Sequence, residues 1–443
     1  MKFFSKKIFF HKSSQLILIF LIQGISAILG FAVQFLLAKN MTVAEYGQFS
    51  ILFNAVAILS LVVSFGSSNH ILRYISIYSE NKRKSSAELQ TAILFIVFNW
   101  LVLTVFAMLF NKTFLSGTTY FFPIGIVILS SLWVLFTTFS LLFQNFDRAT
   151  GYVVRSMVPN NIIKSVLMLA FIFLVVNIFG DRLQLIDAVE IYLSSFLIIC
   201  CLYMFLERKY LSWNNFYRRG IARYKIFFRN SFQYFVNTIS QNLLKNLDLI
   251  FIGFFLTVYD AGVYAAAARI NIVIIFGLAS LNILYSPQVA KLYKENKIEE
   301  LNKSLRLPNW IIFIFSFVLF LCIVLFGKLI LGLFGAGFVQ GYWILLFLSL
   351  RNLIEALFGI TGSVLNMSGN QKFFNNILYL ILGIYLVLSP FAIKIWGLEG
   401  LAIFVALIAL LKNFVQWKFI YFKLGIRSGL FSNLYFILFL NKK

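Results

Sequence analysis

Long runs of apolar residues, each about as long as a bilayer is thick, limit most strongly how this chain can fold. A helix needs ~20 such residues to cross the hydrocarbon core, and the 443-residue sequence contains twelve runs of about that length. Only 12% of the residues are charged and 61% are hydrophobic, against ~25% and ~45–50% in soluble domains. The sequence therefore excludes a soluble enzyme and a nucleic-acid-binding protein, and it predicts an all-α, multi-pass membrane protein.

The apolar runs predict twelve transmembrane helices. The predicted helices cover residues 14–38, 46–66, 90–110, 121–143, 159–179, 188–206, 231–256, 262–286, 308–331, 341–365, 373–393 and 398–420. All connections on the side opposite the N-terminus are short, so we expect no extramembrane domain there.

The distribution of positive charge predicts the orientation. The loops and tails on the N-terminal side hold 28 of the 38 lysines and arginines, and the loops on the other side hold five. Because positively charged loops stay in the cytoplasm, both termini are predicted to be cytoplasmic. The net charge of +23 is thus explained by topology rather than by affinity for polyanions.

The most basic connection divides the chain into two halves. We predict an N-terminal six-helix bundle (1–206), a basic cytoplasmic linker (207–230), a C-terminal six-helix bundle (231–422) and a C-terminal tail (423–443). The linker is expected to lie against anionic lipid head groups, and a docking site for a partner enzyme is the alternative.

An internal repeat relates the two halves. The segment Thr42–Gly47 aligns with Thr257–Gly262, and at the same offset of 215 residues Tyr78–Lys82 aligns with Tyr293–Lys297. Six helices per half is an even number, so the two bundles have parallel topology about an axis along the membrane normal. This arrangement is typical of a two-lobed transporter whose pathway lies between the lobes.

Polar residues inside the predicted spans are the candidate site, because a charge at mid-membrane costs ~2.5–3.5 kcal/mol by insertion scales. On the seventh helix they follow one face. On the tenth helix an Arg-Glu pair is spaced i,i+4, and the first, second and eighth helices add further members. The predicted site residues are Gln23, Gln34, Asn54, Asn237, Gln241, Lys245, Asp248, Arg269, Arg351 and Glu355.

The charges within the spans have a positive balance. Away from the ends of the spans, five cations (Lys164, Lys245, Arg269, Arg351 and Lys412) face two acids, Asp248 and Glu355. A cavity with this balance attracts anions, and arginine suits phosphate through its bidentate fork. The predicted substrate is therefore an anion, with phosphate as the first candidate.

Three stretches resemble flippases of the multidrug/oligosaccharidyl-lipid/polysaccharide exporter superfamily, the Wzx-type O-antigen flippases in particular. They are LLAKNMTVAEYGQFSIL at 36–52, LLKNLDLIFIGFFLTVYDAGVYAAAARI at 243–270 and SPQVAKLYKENKIEELNKSL at 286–305. With the twelve spans, the resemblance covers nearly the whole chain. It implies a MATE-like fold and alternating access of two bundles around a cationic cavity.

The resemblance also implies a substrate and partners. The substrate is a polyprenyl-pyrophosphate-linked oligosaccharide, whose head group crosses inside while its tail stays in lipid. Lys245, Arg269 and Arg351 would bind phosphate or acidic sugar, and Asp248 and Glu355 would restrain them or relay protons. We expect a monomer in the bacterial inner membrane, surrounded by lipid, working with a polysaccharide polymerase and chain-length proteins. No nucleic acid and no resident cofactor are expected, and coupling to H⁺ or Na⁺ stays open.

Two other functions compete with this interpretation. A cation-coupled multidrug antiporter of the same superfamily needs acidic groups inside the first bundle, and helices one to five contain none. A polysaccharide polymerase or ligase needs a sizeable outer loop for its catalytic groups. Only two histidines occur, His11 and His70, and no acid/base or metal constellation is evident around either.

Overall fold

The computed structural model describes residues 2–78, 82–114, 123–179, 183–211, 221–271, 285–286 and 288–435, and within these ranges the chain is helical and contains no strand. Nine helices in these ranges are long and apolar enough to cross a membrane. The predicted fold class, an all-α multi-pass membrane protein, is confirmed. Most of the C-terminal half of the predicted eighth span, residues 272–284, lies outside the described residues.

The helices begin and end as follows. They are α1 (Lys2–Asn40), α2 (Val43–Ser64), α3 (Ser67–Tyr78), α4 (Lys82–Phe114), α5 (Ile124–Ala149), α6 (Val153–Val158), α7 (Lys164–Phe179), α8 (Leu185–Leu206), α9 (Ile221–Phe255), α10 (Val258–Ile270), α11 (Ile298–Phe334), α12 (Tyr342–Phe358), α13 (Thr361–Met367), α14 (Gln371–Leu424) and α15 (Leu430–Tyr435). A π-helical turn, Pro159–Ile163, joins α6 to α7, and a 3-10 turn, Ala336–Gly341, precedes α12.

Two predicted span boundaries in the second half have different outcomes. Helix α14 kinks at Gly397, whose φ of 61° is non-helical, so it contains the two predicted spans 373–393 and 398–420. The predicted tenth span, 341–365, is wrong as one continuous helix. Helix α12 ends at Phe358 because Gly359 adopts a φ of 72°, and the chain resumes as the short α13.

The chain packs as two compact units. The first consists of Met1–Met41 and Gln48–Leu247, and the second of Thr42–Gly47 and Asp248–Lys443. The first unit has an aromatic core in which Trp133 contacts Phe49, Phe53 and Tyr192 at centroid distances of 5.1 to 6.2 Å. In the second unit, α12 packs on both α11 and α14. The division into bundles around a linker at 207–230 stays a prediction.

The repeated segments form the same local structure. Thr42 Oγ1 donates to Glu45 Oε2 at 2.7 Å, and Glu45 N donates back to Thr42 Oγ1 at 3.3 Å. Thr257 and Asp260 make the same pair of bonds at 2.7 and 3.2 Å. Both are capping boxes, which satisfy free N–H groups at a helix start. The repeat therefore places equivalent helix starts at α2 and α10, whereas residues 79–81 of its second match lie outside the described residues.

The glycines of the two repeated segments approach the partner segment reciprocally, inside the second unit. A Cβ on Gly47 would lie 1.8 Å from the Val258 carbonyl oxygen, and a Cβ on Gly262 would lie 2.1 Å from that of Val43. Each glycine thus lets the start of one repeated helix cross the backbone of the other.

Candidate functional site

A buried carboxylate with two tyrosines forms the centre of the polar site in the second unit. Tyr264 on α10 donates from its hydroxyl to Asp248 Oδ2 at 2.7 Å, and Tyr385 on α14 donates to Asp248 Oδ1. All three side chains are buried. A buried carboxylate without partners would be costly, and these hydroxyls supply one hydrogen bond to each oxygen. Helices α9, α10 and α14 are therefore held together at this point.

Two further ionic groups surround this carboxylate. Arg351 on α12 interacts electrostatically with Asp248 and with Glu355, one turn further along its own helix. Glu355 Oε1 in turn is 3.0 Å from Lys412 Nζ on α14. The group thus brings together two acids and two cations, whose charges compensate. Among the predicted members, Asp248, Arg351 and Glu355 are brought together, and Lys412 joins them.

The positive surplus predicted for the spans falls on the remaining three cations. Arg269 is half-buried in the last turn of α10, five residues beyond Tyr264. In the first unit, Lys245 on α9 is exposed, and Lys164 Nζ lies over the ring of Phe196, 4.8 Å from its centroid.

The other predicted residues lie in the first unit with different surroundings. Gln34 on α1 donates to the hydroxyl of Tyr192 at 2.7 Å, and both are buried. Asn54 donates to the Ser50 carbonyl within its own helix at 2.8 Å. Gln23 and Gln241 are half-buried, and the side chain of Asn237 lies outside the described residues. Their predicted role in binding substrate stays a prediction.

A cavity that the sequence did not predict lies inside the first unit. Its volume is about 300 Å³, at the lower end of the ~300–1,000 Å³ typical of small-molecule pockets. It lies among the end of α2, the start of α3, the end of α5 and the middle of α9. Its walls are Leu61, Ser64, Gly66, Ser68, Asn69, Leu141, Gln144, Asn145, Arg148, Phe235, Thr238 and Asn242.

The cavity was missed because the end of the fourth span was placed too early. The run of apolar residues stops at Phe143, and the polar stretch Gln144–Arg148 looks like the start of a loop. In the structure α5 continues to Ala149, and Gln144 and Asp147 are buried. Polar residues at helical spacing directly after an apolar run are the signal that could have found them.

A second ionic group lies at the same end of α5, in the first unit. Asp147 Oδ1 is 2.6 Å from Arg155 Nη2, and Arg155 also pairs with Glu207, directly after α8. Both carboxyl groups are buried, and both pair with Arg155. Burial first, and then the interactions with Asp147, raise the pKa of Glu207 to about 8, while Arg155 opposes that shift.

The raised pKa of Glu207 predicts a pH-dependent stability. Between its ordinary value of 4.5 and about 8, the folded state holds a proton that the unfolded state has lost. The free energy of unfolding therefore falls as pH rises through this window and levels off above it. We expect Glu207→Gln to flatten this part of the melting temperature profile of the purified protein between pH 5 and 9. The exposed Glu190→Gln is the control, and an unchanged slope in Glu207→Gln would contradict the assignment.

His70, for which the sequence suggested no acidic partner, has one in the structure. Its Nε2 lies 3.0 Å from Glu88 Oε1, and both side chains are buried between α3 and α4. The ring also contacts Phe227 edge-on at 4.9 Å. The sequence showed no acid/base constellation around His70, and the structure places Glu88 beside it because α3 packs against the start of α4. His11 lies among side chains outside the described residues.

Comparisons with known proteins give one family and a set of related folds. A family model described as polysaccharide biosynthesis protein matches residues 14–285, over half of the chain. No curated protein matches the chain.

Three solved structures share the fold at low sequence identity. A multidrug resistance MATE family transporter of the MOP superfamily, in its inward-facing conformation, has a TM-score of 0.70 at 14% identity, covering 89% of this chain and 93% of that one. The lipid II flippase MurJ, in an inward closed conformation, has a TM-score of 0.69 at 15% identity, with 91% and 87% covered. A MOP superfamily transporter from Pyrococcus furiosus has a TM-score of 0.60 at 15% identity, with 91% and 93% covered. The fold is therefore that of the MOP superfamily.

Proposed function

The chain belongs to the polysaccharide biosynthesis protein family, and from this premise we propose that it is a flippase for a polyprenyl-pyrophosphate-linked oligosaccharide. The family match carries the proposal, since it links a membrane-spanning chain with the fold of transporters and flippases to the synthesis of polysaccharide. The head group would cross between two helical bundles by alternating access, while the polyprenyl tail stays in lipid. The repeat unit of an O-antigen, a capsule or another surface polymer fits this description.

The polar residues within the spans support an anionic head group. Arg351 lies beside Asp248 and Glu355, which would fix the position of its guanidinium, and the uncompensated positive charge comes from the other cations of the spans. Arg269 and Lys245 would add positive charge along the path. The polar side chains of the first unit would contact sugar hydroxyls; they are Gln23, Gln34, Asn54, Asn237 and Gln241.

The proposal includes a setting for the protein. The strong bias of basic residues to one side supports insertion in the bacterial inner membrane with both termini in the cytoplasm. The protein would act as a monomer on its lipid substrate, supplying a polysaccharide polymerase and its chain-length proteins. No resident cofactor is required, and Asp248 is the acid best placed to relay H⁺ or to hold Na⁺ if transport is coupled to either.

Deleting the gene tests the proposal directly. We expect the deletion strain to accumulate a polyprenyl-linked glycan on the inner leaflet and to lose a surface polysaccharide. Lipid extraction and mass spectrometry would identify the glycan. A deletion strain with normal lipids and greater sensitivity to cationic drugs would instead support the multidrug antiporter, and loss of polymer length alone would support a polymerase.

Two substitutions test the proposed phosphate-binding cations. We expect Arg351→Ala and Lys245→Ala to reduce surface polysaccharide at least ~10-fold, the loss expected when a hydrogen bond to a charged group is removed. Protein abundance in the membrane should stay normal. The exposed Lys328→Ala is the control. Wild-type polysaccharide in both variants would remove these residues from the site.

A further inference from the structure

We propose that the cavity beside Arg148 in the first unit binds a glycosyl phosphate, meaning a phosphate group with the sugar attached to it. This inference rests on the proposed function, because the head group of a polyprenyl-linked oligosaccharide presents that chemical unit. It assigns the ligand to residues outside the predicted site. The argument depends on the charge, the free donors and the free acceptors of the cavity walls.

The charge of the cavity favours an anion. Among the described residues that form its walls, Arg148 is the one charged side chain, and none is an aspartate or a glutamate. Neighbouring Asp147 pairs with Arg155 instead. Within the described part of the chain, Arg148 has no carboxylate partner. A half-buried guanidinium without a counter-ion offers its fork of donors to a phosphate group, with which arginine forms bidentate hydrogen bonds.

The start of α3 supplies further donors to the same cavity. Helix α3 is 12 residues long and begins at Ser67, so its first N–H groups have no partner within the helix. Gly66, Ser68 and Asn69 from this start line the cavity. The residue Ser68 is 8% exposed, and its hydroxyl lacks a hydrogen-bond partner among the described residues. Helix starts of this kind favour phosphate.

The acceptors of the cavity favour a sugar beside the phosphate. Asn242 uses its amide nitrogen to bind the Thr238 carbonyl at 2.8 Å, and Asn69 uses its own to bind Thr238 Oγ1 at 2.9 Å. Their side-chain oxygens are left as acceptors. An ionised phosphate repels such oxygens, whereas hydroxyl groups donate to them. A ligand that combines an anion with several hydroxyls therefore satisfies these walls better than phosphate alone.

The experiment measures binding to the full-length protein in lipid nanodiscs. The soluble probes are glucose 1-phosphate and glucose, observed through their C–H protons by saturation-transfer NMR, and inorganic phosphate. Because phosphate has no such protons, its binding and that of glucose 1-phosphate are compared by ³¹P line broadening. We expect glucose 1-phosphate to bind more tightly than either of the other two. Arg148→Ala should weaken its binding about 10- to 100-fold, as for lost hydrogen bonds to a charged group. Asn242→Ala should weaken it about 3- to 10-fold and leave binding of inorganic phosphate unchanged.

The control variant is Arg208→Ala, which removes an exposed arginine of the same unit. It should bind all three probes as the wild-type protein does. Equal binding of phosphate and glucose 1-phosphate, or no binding of any probe, would overturn the proposal. Adding a polyprenyl diphosphate sugar to the nanodisc that holds the full-length protein shows whether the natural ligand is lipid-linked or soluble. If that lipid displaces glucose 1-phosphate, the ligand is lipid-linked; if it does not, the cavity serves a soluble sugar phosphate.

The inference and the proposed function can fail separately. If the Arg148→Ala strain has normal surface polysaccharide and the deletion strain has none, the cavity does not lie on the transport path. The proposed flippase function would still hold. If the wild-type protein binds glucose 1-phosphate through Arg148 but its deletion leaves polyprenyl-linked glycans unchanged, the cavity stands and the proposed flippase fails.

Discussion

Gly47→Ala is expected to destabilise the protein by about 3 kcal/mol, at the upper end of the cost of overpacking, and to abolish transport. The added Cβ would lie 1.8 Å from the Val258 carbonyl oxygen, and backbone cannot yield as a flexible side chain can. Gly262→Ala should behave alike, since its Cβ would meet the Val43 carbonyl oxygen. Thermal unfolding in detergent and the amount of surface polysaccharide measure the two effects.

The matched control for these variants is the same substitution in open space. Gly383 lies within α14, and nothing lies within 4 Å of the place where its Cβ would be. Alanine is a better helix former than glycine by ~0.8–1.0 kcal/mol, so Gly383→Ala should stabilise the protein slightly. A Gly47→Ala variant as stable as wild type would show that the two repeated helices do not depend on this close approach.

Asp248→Ala is expected to cost about 2–6 kcal/mol of stability and to eliminate transport. The substitution leaves the buried hydroxyls of Tyr264 and Tyr385 without their acceptor, and each unsatisfied buried group costs about 1–3 kcal/mol. It also removes one of the two acids that compensate Arg351 and Lys412. Melting temperatures in detergent and a surface-polysaccharide assay check both expectations.

A double-mutant cycle separates this contact from general damage. Tyr385→Phe should cost less stability in the Asp248→Ala background than in the wild-type protein, because the hydrogen bond is already lost there. Additive costs would mean that the Tyr385 hydroxyl contributes to stability independently of Asp248. Tyr379→Phe, on the same helix and more exposed, is the control.

Hydrophobic length and composition predict most of the fold, because a membrane imposes both on any helix that crosses it. The kink at Gly397 separates two spans that the sequence already divides. The capping boxes at Thr42 and Thr257 likewise follow from residue type and spacing alone. These features are local, so they need no knowledge of which helices meet.

The partners of the site residues could not be predicted in the same way. Asp248 is 137 residues from Tyr385 along the chain, and Glu355 is 57 residues from Lys412, so the helix packing decides these contacts. The break at Gly359 depends on a φ that a hydropathy pattern does not record. The spacing of Gln144 and Asp147 indicates that α5 continues past its apolar run, but the sequence does not show which helices close the cavity beside Arg148.

The reciprocal crossing of the repeated helix starts has a consequence for the origin of the chain. Gly47 contacts the backbone of Val258, and Gly262 contacts the backbone of Val43. Each repeated segment therefore contributes one glycine and one valine to the contact. A surface of this kind is self-complementary, as in symmetric homodimers. A half-length ancestor with one copy of the threonine, acid and glycine could form the same contact between two copies of itself. Gene fusion would then have joined the two copies in one chain.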